Sequence, residues 1–508
     1  MKKFIFLGLI GLMVMALSAT VYAQPKLDFK ASGAMEATSF LYRNVAGGDG
    51  AITTYMAAPF WPDTYATASS GAWNRTNDYM QYRGILRFDA IMSKELSGTF
   101  VFELDSMRWG DSSGTRNQLG YWTADRAGIE VKNMYMDVGL PYFGIPVPMT
   151  ARIGIQPIGM RPHIFNIVDG TAITGGINID PVTIGLVWAK ALEGKDATAD
   201  DADVYGLSLQ AKLGTITAGG YWFYYNMNTY PLSLVQSTYG VTGVDQNAAD
   251  FHWLGVFADG KLGPVNLNFD FVYDTGNVER RQTATVKDVK YRGFATQVKV
   301  DFPWEKFNFG VLGMYASGAD LRKTSRTGLP GESVEDNVAG YSTKVGSYVI
   351  PPGSEEWAAW GESMILGSNF ITATAYPTGM WPTLGTYPNQ VTRGAIGGTW
   401  VAKLYGSVKA TPWYKVTLQG LYIGDTTKHG NTLGDAVKPS GYLRDDKSIG
   451  WEFDLINEIQ IYKNLKWSVG AGILFAGDAL DQYGGSFADR AKSPKDPWIL
   501  ATKLRYDF

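Results

Sequence analysis

Apolar and polar side chains alternate along most of this chain, in segments short enough to be single strands. Between residues 265 and 274 the odd positions carry Val, Leu, Phe, Phe and Tyr, and the even positions carry Asn, Asn, Asp, Val and Asp. Similar alternation returns at 294–302 and at 451–462. Successive side chains of a β-strand point to opposite faces, so each segment has one apolar and one polar face. The pattern predicts an all-β protein built from amphipathic strands.

The connections between these segments distinguish a membrane barrel from a soluble sandwich, in which strands also alternate. Short turns at 180–181, 303–304 and 463–464 are interleaved with long polar connections, the longest at 319–392. Short turns at one end and long loops at the other are typical of an antiparallel transmembrane β-barrel with short periplasmic turns and long outer loops. We count about 18 strands, with about 16 as the alternative because the segment near residue 175 is rich in Gly.

The N-terminus carries the features of an export signal. Lys2 and Lys3 precede an apolar run at 4–19, and Val21-Tyr22-Ala23 then forms a small-x-small cleavage site. An uncleaved membrane anchor is the alternative, but a helix that spans a bilayer needs about 20 apolar residues. The sequence therefore predicts a cleaved signal peptide at 1–23. It also predicts one barrel domain at 24–508, with a long outer-loop insertion at 319–392.

The C-terminus is a last alternating strand that ends in an aromatic residue. Its apolar face consists of Trp498, Leu500, Thr502, Leu504, Tyr506 and Phe508. Such an ending resembles the signal by which the barrel-assembly machinery recognises bacterial outer-membrane barrels. Phe508 and Tyr506 are therefore the candidate assembly signal. Together with the export signal, they predict a multi-pass β-barrel in the bacterial cell outer membrane, in contact with its lipid.

Composition excludes several kinds of function. The chain of 508 residues has 60 Gly, no Cys and only 3 His, and its net charge is −3. The lack of Cys rules out disulfide scaffolds, thiolate metal sites and cysteine nucleophiles. The slightly acidic balance leaves no basic stripe for nucleic acid. The acidic segment 196–203 lacks the glycine turn and the ligand register of a calcium loop. We therefore predict no catalysis, no cofactor, no metal and no nucleic-acid partner.

A barrel of this size can enclose water, so its polar faces become the lining of a channel. Ten side chains on these faces are candidates for pore lining: Arg83, Arg87, Asp89, Glu103, Asp105, Arg152, Gln156, Lys299, Asp301 and Lys415. Both charge signs occur, and opposed rows of charge favour polar solutes over apolar ones. The alternative is that these charges only pair with one another and solvate the inner wall.

The connection at 159–170 is a candidate for the narrowest point of the channel. It is the third connection on the side of the long loops, after the fifth predicted strand. In general porins the third outer loop folds inward and forms the constriction. By that resemblance Arg161, His163 and Asp169 are the constriction candidates. The alternative is a loop that packs on the wall.

Several longer motifs together resemble a known family. They are Lys94-Glu95-Leu96-Ser97-Gly98, Gly128-Ile129-Glu130-Val131-Lys132-Asn133, Arg152-Ile153-Gly154-Ile155-Gln156-Pro157 and Gln460-Ile461-Tyr462-Lys463-Asn464-Leu465. They are similar to the outer-membrane homotrimeric porins of sulfate-reducing and related bacteria. The resemblance implies a trimer of water-filled barrels that pass small hydrophilic solutes by passive diffusion.

Four other functions are compatible with parts of the pattern. A substrate-specific channel, such as an anionic polysaccharide exporter, should have a cationic lumen, and the mixed charges argue against it. An outer-membrane hydrolase needs a His beside Ser or Asp at the rim. His163 and His429 have acidic residues nearby in sequence, which is common by chance. The third alternative is a barrel that forms a sheath around a separate cytochrome. The fourth is a secreted soluble β-protein.

Overall fold

The computed structural model describes most of the barrel wall and parts of its longest connection. The described residues are 27–43, 76–110, 118–119, 127–140, 147–194, 200–230, 232, 247–280, 288–320, 344–354, 362–365, 391, 394, 396–432, 445–480 and 496–508. The predicted signal peptide at 1–23 and most of the insertion at 319–392 lie outside these residues.

Long antiparallel strands account for most of the described chain. They are β1 (Asp28–Arg43), β2 (Thr76–Ile91), β3 (Leu96–Trp109), β4 (Glu130–Leu140), β5 (Met149–Met160), β6 (Asn166–Ile179), β7 (Val182–Leu192), β8 (Ala202–Leu213), β9 (Ile216–Met227), β10 (Asn247–Leu262), β11 (Val265–Arg280), β12 (Val289–Trp304), β13 (Phe307–Ala316), β14 (Thr399–Thr411), β15 (Tyr414–Asp425), β16 (Ser448–Tyr462), β17 (Leu465–Ala476) and β18 (Trp498–Asp507). Two short strands, Gln118–Leu119 and Lys344–Val345, add parallel pairings to β3 and β12.

These strands close into one barrel. Each long strand pairs with the next one along the chain, and β1 pairs with β18 from Ala34 opposite Asp507 to Arg43 opposite Trp498. The prediction of 18 strands is confirmed. The Gly-rich strand β6, which was the reason for considering 16, pairs on both sides with β5 and β7.

The connections differ in length between the two ends of the barrel, which we call the short-turn end and the long-loop end. The short-turn end includes the two-residue turns at 180–181, 263–264 and 463–464. The turn predicted at 303–304 lies two residues further on. Pro303 and Trp304 still pair with β13, and Glu305 adopts the left-handed conformation that reverses the chain (φ 51°).

The outer surface is apolar, as a bilayer requires. Exposed aromatic side chains lie near both ends of the strands: Trp222, Tyr315 and Trp451 toward the long-loop end, and Phe29, Trp304, Trp413 and Tyr506 toward the short-turn end. Aromatic rings favour the two membrane–water interfaces, and aliphatic side chains fill the band between them. No helix among the described residues has the length and apolar character needed to cross a membrane.

The C-terminal residue helps to close the barrel between β18 and β1. The Gly33 amide donates to the Phe508 carbonyl at 2.8 Å, and the Phe508 amide donates to the Gly33 carbonyl at 3.0 Å. The rings of Tyr506 and Phe508 stack at 5.5 Å on the outer surface. A side chain at Gly33 would collide with this ring, so glycine is required where the two chain ends meet.

We expect the substitution Gly33→Val to lower the free energy of unfolding by about 1–3 kcal/mol through overpacking. A Cβ atom at Gly33 lies 2.4 Å from the Ile85 carbonyl oxygen and 2.7 Å from Phe508 Cζ. The same substitution at Gly98 is the control, because a Cβ there has no neighbour within 4 Å. Urea unfolding in lipid vesicles, followed by tryptophan fluorescence, measures both. Equal midpoints for the two variants would contradict the expectation.

Candidate functional site

The connection between β5 and β6 folds into the barrel. It consists of Arg161–Phe165, which we call the hairpin end, and Arg161 makes the bend in the left-handed conformation (φ 50°). The Arg161 guanidinium donates to Asp259 of β10 at 2.9 Å and to Asp270 of β11 at 2.8 Å. His163 Nε2 also contacts Asp270. Three strands separate β6 from β10 in the sheet, so these contacts cross the interior.

Aromatic packing fixes the hairpin end against one side of the wall. The Phe165 ring lies 5.3 Å from Tyr221, 5.4 Å from Phe223 and 5.7 Å from Trp253, measured between ring centroids. All four side chains are buried. The interior beside β9 and β10 is therefore filled with apolar side chains instead of water.

The opposite face of the same hairpin contacts two polar residues of β4, of which one is charged. Asp169, which lies on β6, accepts from Asn133 Nδ2 at 2.8 Å and from Lys132 Nζ at 3.1 Å. Pairing between β5 and β4 stops at Ile155, so the hairpin is free to lean inward beyond that point. Arg161 and Asp169 thus face opposite walls. The three constriction candidates lie on one hairpin that divides the interior.

Part of the long insertion also lies inside, at 362–365, which we call the inner segment. Glu362 forms ion pairs with Lys299 of β12 and with Lys403 of β14, the latter at 2.8 Å. Burial by itself raises the pKa of Glu362, whereas the charges of Lys403 and Lys299 lower it, and the net shift is downward. Glu362 is therefore a carboxylate at neutral pH.

A buried carboxylate of the wall holds the rest of the inner segment. Glu452 of β16 accepts from Ser363 Oγ at 2.8 Å, from the Met364 amide at 2.6 Å and from the Ile365 amide at 2.9 Å. A carboxylate that accepts several amide hydrogens is a strong anchor in a buried place. The inner segment is consequently fixed to the wall of β12, β14 and β16.

A second piece of the insertion, 344–354, connects the hairpin end to the wall. Tyr348 donates from its hydroxyl to the Ile164 carbonyl at 2.7 Å, and Trp253 Nε1 donates to the Val349 carbonyl at 2.8 Å. Both side chains are buried. Segment 344–354 and the hairpin end therefore form one packed obstruction on the side of β9 to β12.

The remaining wall, from β15 through β18 to β5, is lined with charged side chains that solvent reaches. Its ion pairs are Lys415–Glu458–Lys466, Arg505–Glu36, Arg83–Glu103–Lys132, Arg87–Asp89 and Arg152–Asp137. Of the ten predicted lining residues, Arg83, Arg87, Asp89, Glu103, Arg152 and Lys415 belong to these pairs. The interior along this side is therefore charged and accessible to solvent.

Three other predicted lining residues bind polar groups of the protein. Gln156 is buried, where its Nε2 donates to the Ala172 carbonyl at 2.8 Å. Lys299 binds the inner segment, and Asp301 accepts from Asn308 Nδ2 at 2.8 Å. Asp105 lies on β3, but its side chain is outside the described residues.

Within the exposed pairs the cation is generally nearer to solvent than the acid. Arg505 is 43% exposed and its partner Glu36 is 12% exposed. Arg83, Arg87, Lys415 and Lys466 are likewise more exposed than the carboxylates they bind. The acid is the more exposed partner in three other pairs, which are Arg152–Asp137, Lys132–Asp169 and Arg505–Asp507. In most pairs of this wall, the positive charge therefore lies nearer to solvent than the negative charge.

Sequence reasoning did not single out several residues of this interior. They are Glu36, Lys132, Asp137, Glu362, Lys403, Glu452, Lys466 and Arg505. The same alternation that selected Arg83 places Arg505 and Lys466 on inward faces and could have found them. No sequence signal marks Glu362, because it lies in a long loop and reaches the wall only in the closed barrel.

Comparisons with solved structures find similarity to proteins of Pseudomonas aeruginosa. The outer membrane protein OpdK is 8% identical with a TM-score of 0.49, over 95% of this chain and 98% of that chain. OpdQ is 10% identical with a TM-score of 0.48, over 96% of this chain and 99% of that chain. No protein-family model and no curated protein matches the chain. The fold assignment rests on the strand pairing itself.

Each of the three histidines contacts a neighbouring side chain. His163 contacts Asp270, His429 Nδ1 contacts Asp320 at 2.8 Å, and His252 Nδ1 accepts from Trp222 Nε1 at 3.2 Å. In the acidic segment at 196–203, the described residues Asp201 and Asp203 are bound by the Lys190 ammonium. Within the described ranges, no group of three or more His, Asp or Glu could hold a metal ion.

Proposed function

We propose that the protein is an outer-membrane porin, a water-filled channel through which small hydrophilic solutes and ions diffuse passively, without catalysis. The observation that carries this proposal is the contrast between the two surfaces of the closed barrel. The outer surface is apolar with aromatic bands at both ends, and one inner wall presents paired charges to solvent. An apolar outside suits lipid, and a charged inside suits water and polar solutes.

The structure supports a narrowed channel with a modest preference for anions. The hairpin end, segment 344–354 and the inner segment occupy interior space beside β9 to β14 and beside the long-loop halves of β15 and β16. Solutes therefore pass along the charged wall that these segments leave uncovered. The more exposed cations of that wall attract anions. Because a carboxylate lies beneath each of them, the preference is weaker than in a lumen of one charge sign.

The proposal includes the predicted location and assembly. The short-turn end faces the periplasm and the long-loop end faces outward, after removal of the signal peptide at 1–23. Phe508 and Tyr506 serve as the signal for the barrel-assembly machinery. Phe508 lies beside Gly33 where β18 meets β1, so the machinery would recognise it before these two strands pair and close the barrel. By the family resemblance, the functional unit is a homotrimer.

Conductance of single channels in a planar bilayer tests this function. We expect ohmic steps that close in thirds and, in a salt gradient, a reversal potential that shows modest anion preference. Replacing Lys466 and Arg505 with Gln should move the reversal potential toward cation preference, because Glu458 and Glu36 remain. Small steps with strong anion selectivity would favour the polysaccharide exporter instead. A folded barrel without conductance would overturn the proposal.

A further inference from the structure

Three cations form a patch on the outside of the barrel at the long-loop end. Lys290 and Arg292 are exposed and lie two positions apart on β12, so they share one face. Lys344 is exposed on the short strand that pairs beside Lys290. Residues two apart on a strand are separated by about 7 Å, and neighbouring strands by about 5 Å. The three side chains therefore lie close enough to bind one anionic group.

The patch faces the membrane side of the wall. Inward positions of the same strand, Val289 and Tyr291, are buried, and Phe294 continues the outward face at 37% exposure. The Phe294 ring stacks with Tyr315 at 5.5 Å and with Phe271 at 6.0 Å. These rings belong to the outward aromatic band, so the three cations lie just beyond this band, toward the long-loop end. That is the depth of lipid headgroups.

None of the three cations forms an ion pair with another described residue. Asp288 and Glu279 lie on the same rim, but neither binds them, and Glu279 accepts from Asn277 instead. Elsewhere on the outer surface, the exposed end of Lys190 is already bound by Asp201 and Asp203. Lys290, Arg292 and Lys344 thus combine three positive charges with an apolar aromatic floor. A lipid that carries phosphate on its headgroup presents the complementary surface.

We propose that Lys290, Arg292 and Lys344 bind the phosphate of a phosphorylated lipid headgroup in the outer leaflet, whose acyl chains lie on Phe294 and Tyr315. Arg292 offers a planar fork of N–H donors to the phosphate oxygens, and the two lysines add point charges. This inference rests on the membrane location proposed above and not on the channel activity. The bound lipid would hold the outer rim of β12 and the start of segment 344–354 together.

Native mass spectrometry of the detergent-extracted, folded protein tests the proposal, with lipid A that carries two phosphates as the probe. We expect the variant Lys290→Ala/Arg292→Ala/Lys344→Ala to bind this lipid at least about tenfold more weakly than the unmodified protein. The control is Lys94→Ala/Lys306→Ala/Lys463→Ala, which removes three exposed positive charges at the short-turn end. This control should bind lipid A like the unmodified protein.

Two further probes separate the possible sources of phosphate. Lipid A from which both phosphates have been removed should bind both variants and the unmodified protein equally weakly. Inorganic phosphate at millimolar concentration should not displace the intact lipid. Unchanged binding of lipid A by the triple variant Lys290→Ala/Arg292→Ala/Lys344→Ala, which we call the rim variant, would overturn the proposal. Complete displacement of the lipid by inorganic phosphate would also overturn it. Conductance of the rim variant, recorded separately, shows whether the barrel is folded and reports on the porin function independently.

Discussion

Replacing Asp270 with Asn is expected to lower the free energy of unfolding by about 3 kcal/mol, because it leaves a buried guanidinium short of a partner. Asp270 is 2% exposed and holds both Arg161 and His163. The second acid that binds Arg161 is Asp259, which is 36% exposed and does not bind His163. Its replacement with Asn should lower the free energy by less than about 1 kcal/mol, since solvent screens the lost charge.

Two measurements distinguish this anchor from a general loss of stability. Urea unfolding in lipid vesicles gives the free energies of both variants. Single-channel recordings should show larger fluctuations of the open current in Asp270→Asn than in Asp259→Asn, because the hairpin end then moves in the lumen. The double variant Arg161→Met/Asp270→Asn should recover part of the lost stability, since no unpaired guanidinium remains buried. Equal effects of the two single variants would show that Asp270 does not hold the hairpin end.

Replacing Glu362 with Gln is expected to lower the free energy of unfolding by about 3 kcal/mol at neutral pH, because Lys403 then becomes a buried cation without its carboxylate. The matched control is Glu458→Gln. Glu458 also lies between two lysines, Lys415 and Lys466. Lys403 is 3% exposed, whereas Lys415 is 47% exposed. The control variant should therefore lose less than about 1 kcal/mol.

The Glu362 variant also has an expected pH dependence. In the folded protein the pKa of Glu362 is below its ordinary value of 4.5. Burial raises this pKa, but the charges of Lys403 and Lys299 lower it by more. A carboxyl whose pKa is lowered by folding stabilises above the unfolded pKa, and this stabilisation disappears as the pH falls through the folded pKa. Urea unfolding should therefore show a difference between Glu362→Gln and the unmodified protein that is constant above pH 4.5 and narrows at lower pH. A constant difference at all pH values would contradict the ion pair.

Most of the barrel wall could be predicted from the sequence. The alternation at 265–274 places Asp270 and Phe269 on opposite faces without any knowledge of their neighbours, because the period of two is a local property of an extended chain. The terminal strand with Phe508 and the one-sided lengths of the connections follow in the same way. The turn predicted at 303–304 was misplaced by only two residues, because strand pairing continues through Pro303 and Trp304 beyond the last alternating residue.

The contents of the interior depended on the closed fold. Arg161 is 109 residues from Asp270 in the chain, and Glu362 reaches Lys299 and Lys403 only after the barrel closes. Inward and outward positions of β9 are almost equally aromatic, so alternation there cannot tell which side Phe165 covers.

By itself, the sequence determined the strands, their two faces and the ends at which loops are long, because each depends on short-range pattern. Only the tertiary structure decided which charges face water and which are bound, since that depends on what crosses the lumen. The hairpin end and the inner segment cover the wall of β9 to β14 and the long-loop halves of β15 and β16, and this leaves Arg83, Arg505 and Lys466 accessible to solvent on the uncovered wall. The charge that a solute meets is set by these long-range contacts and not by the number of acidic and basic residues.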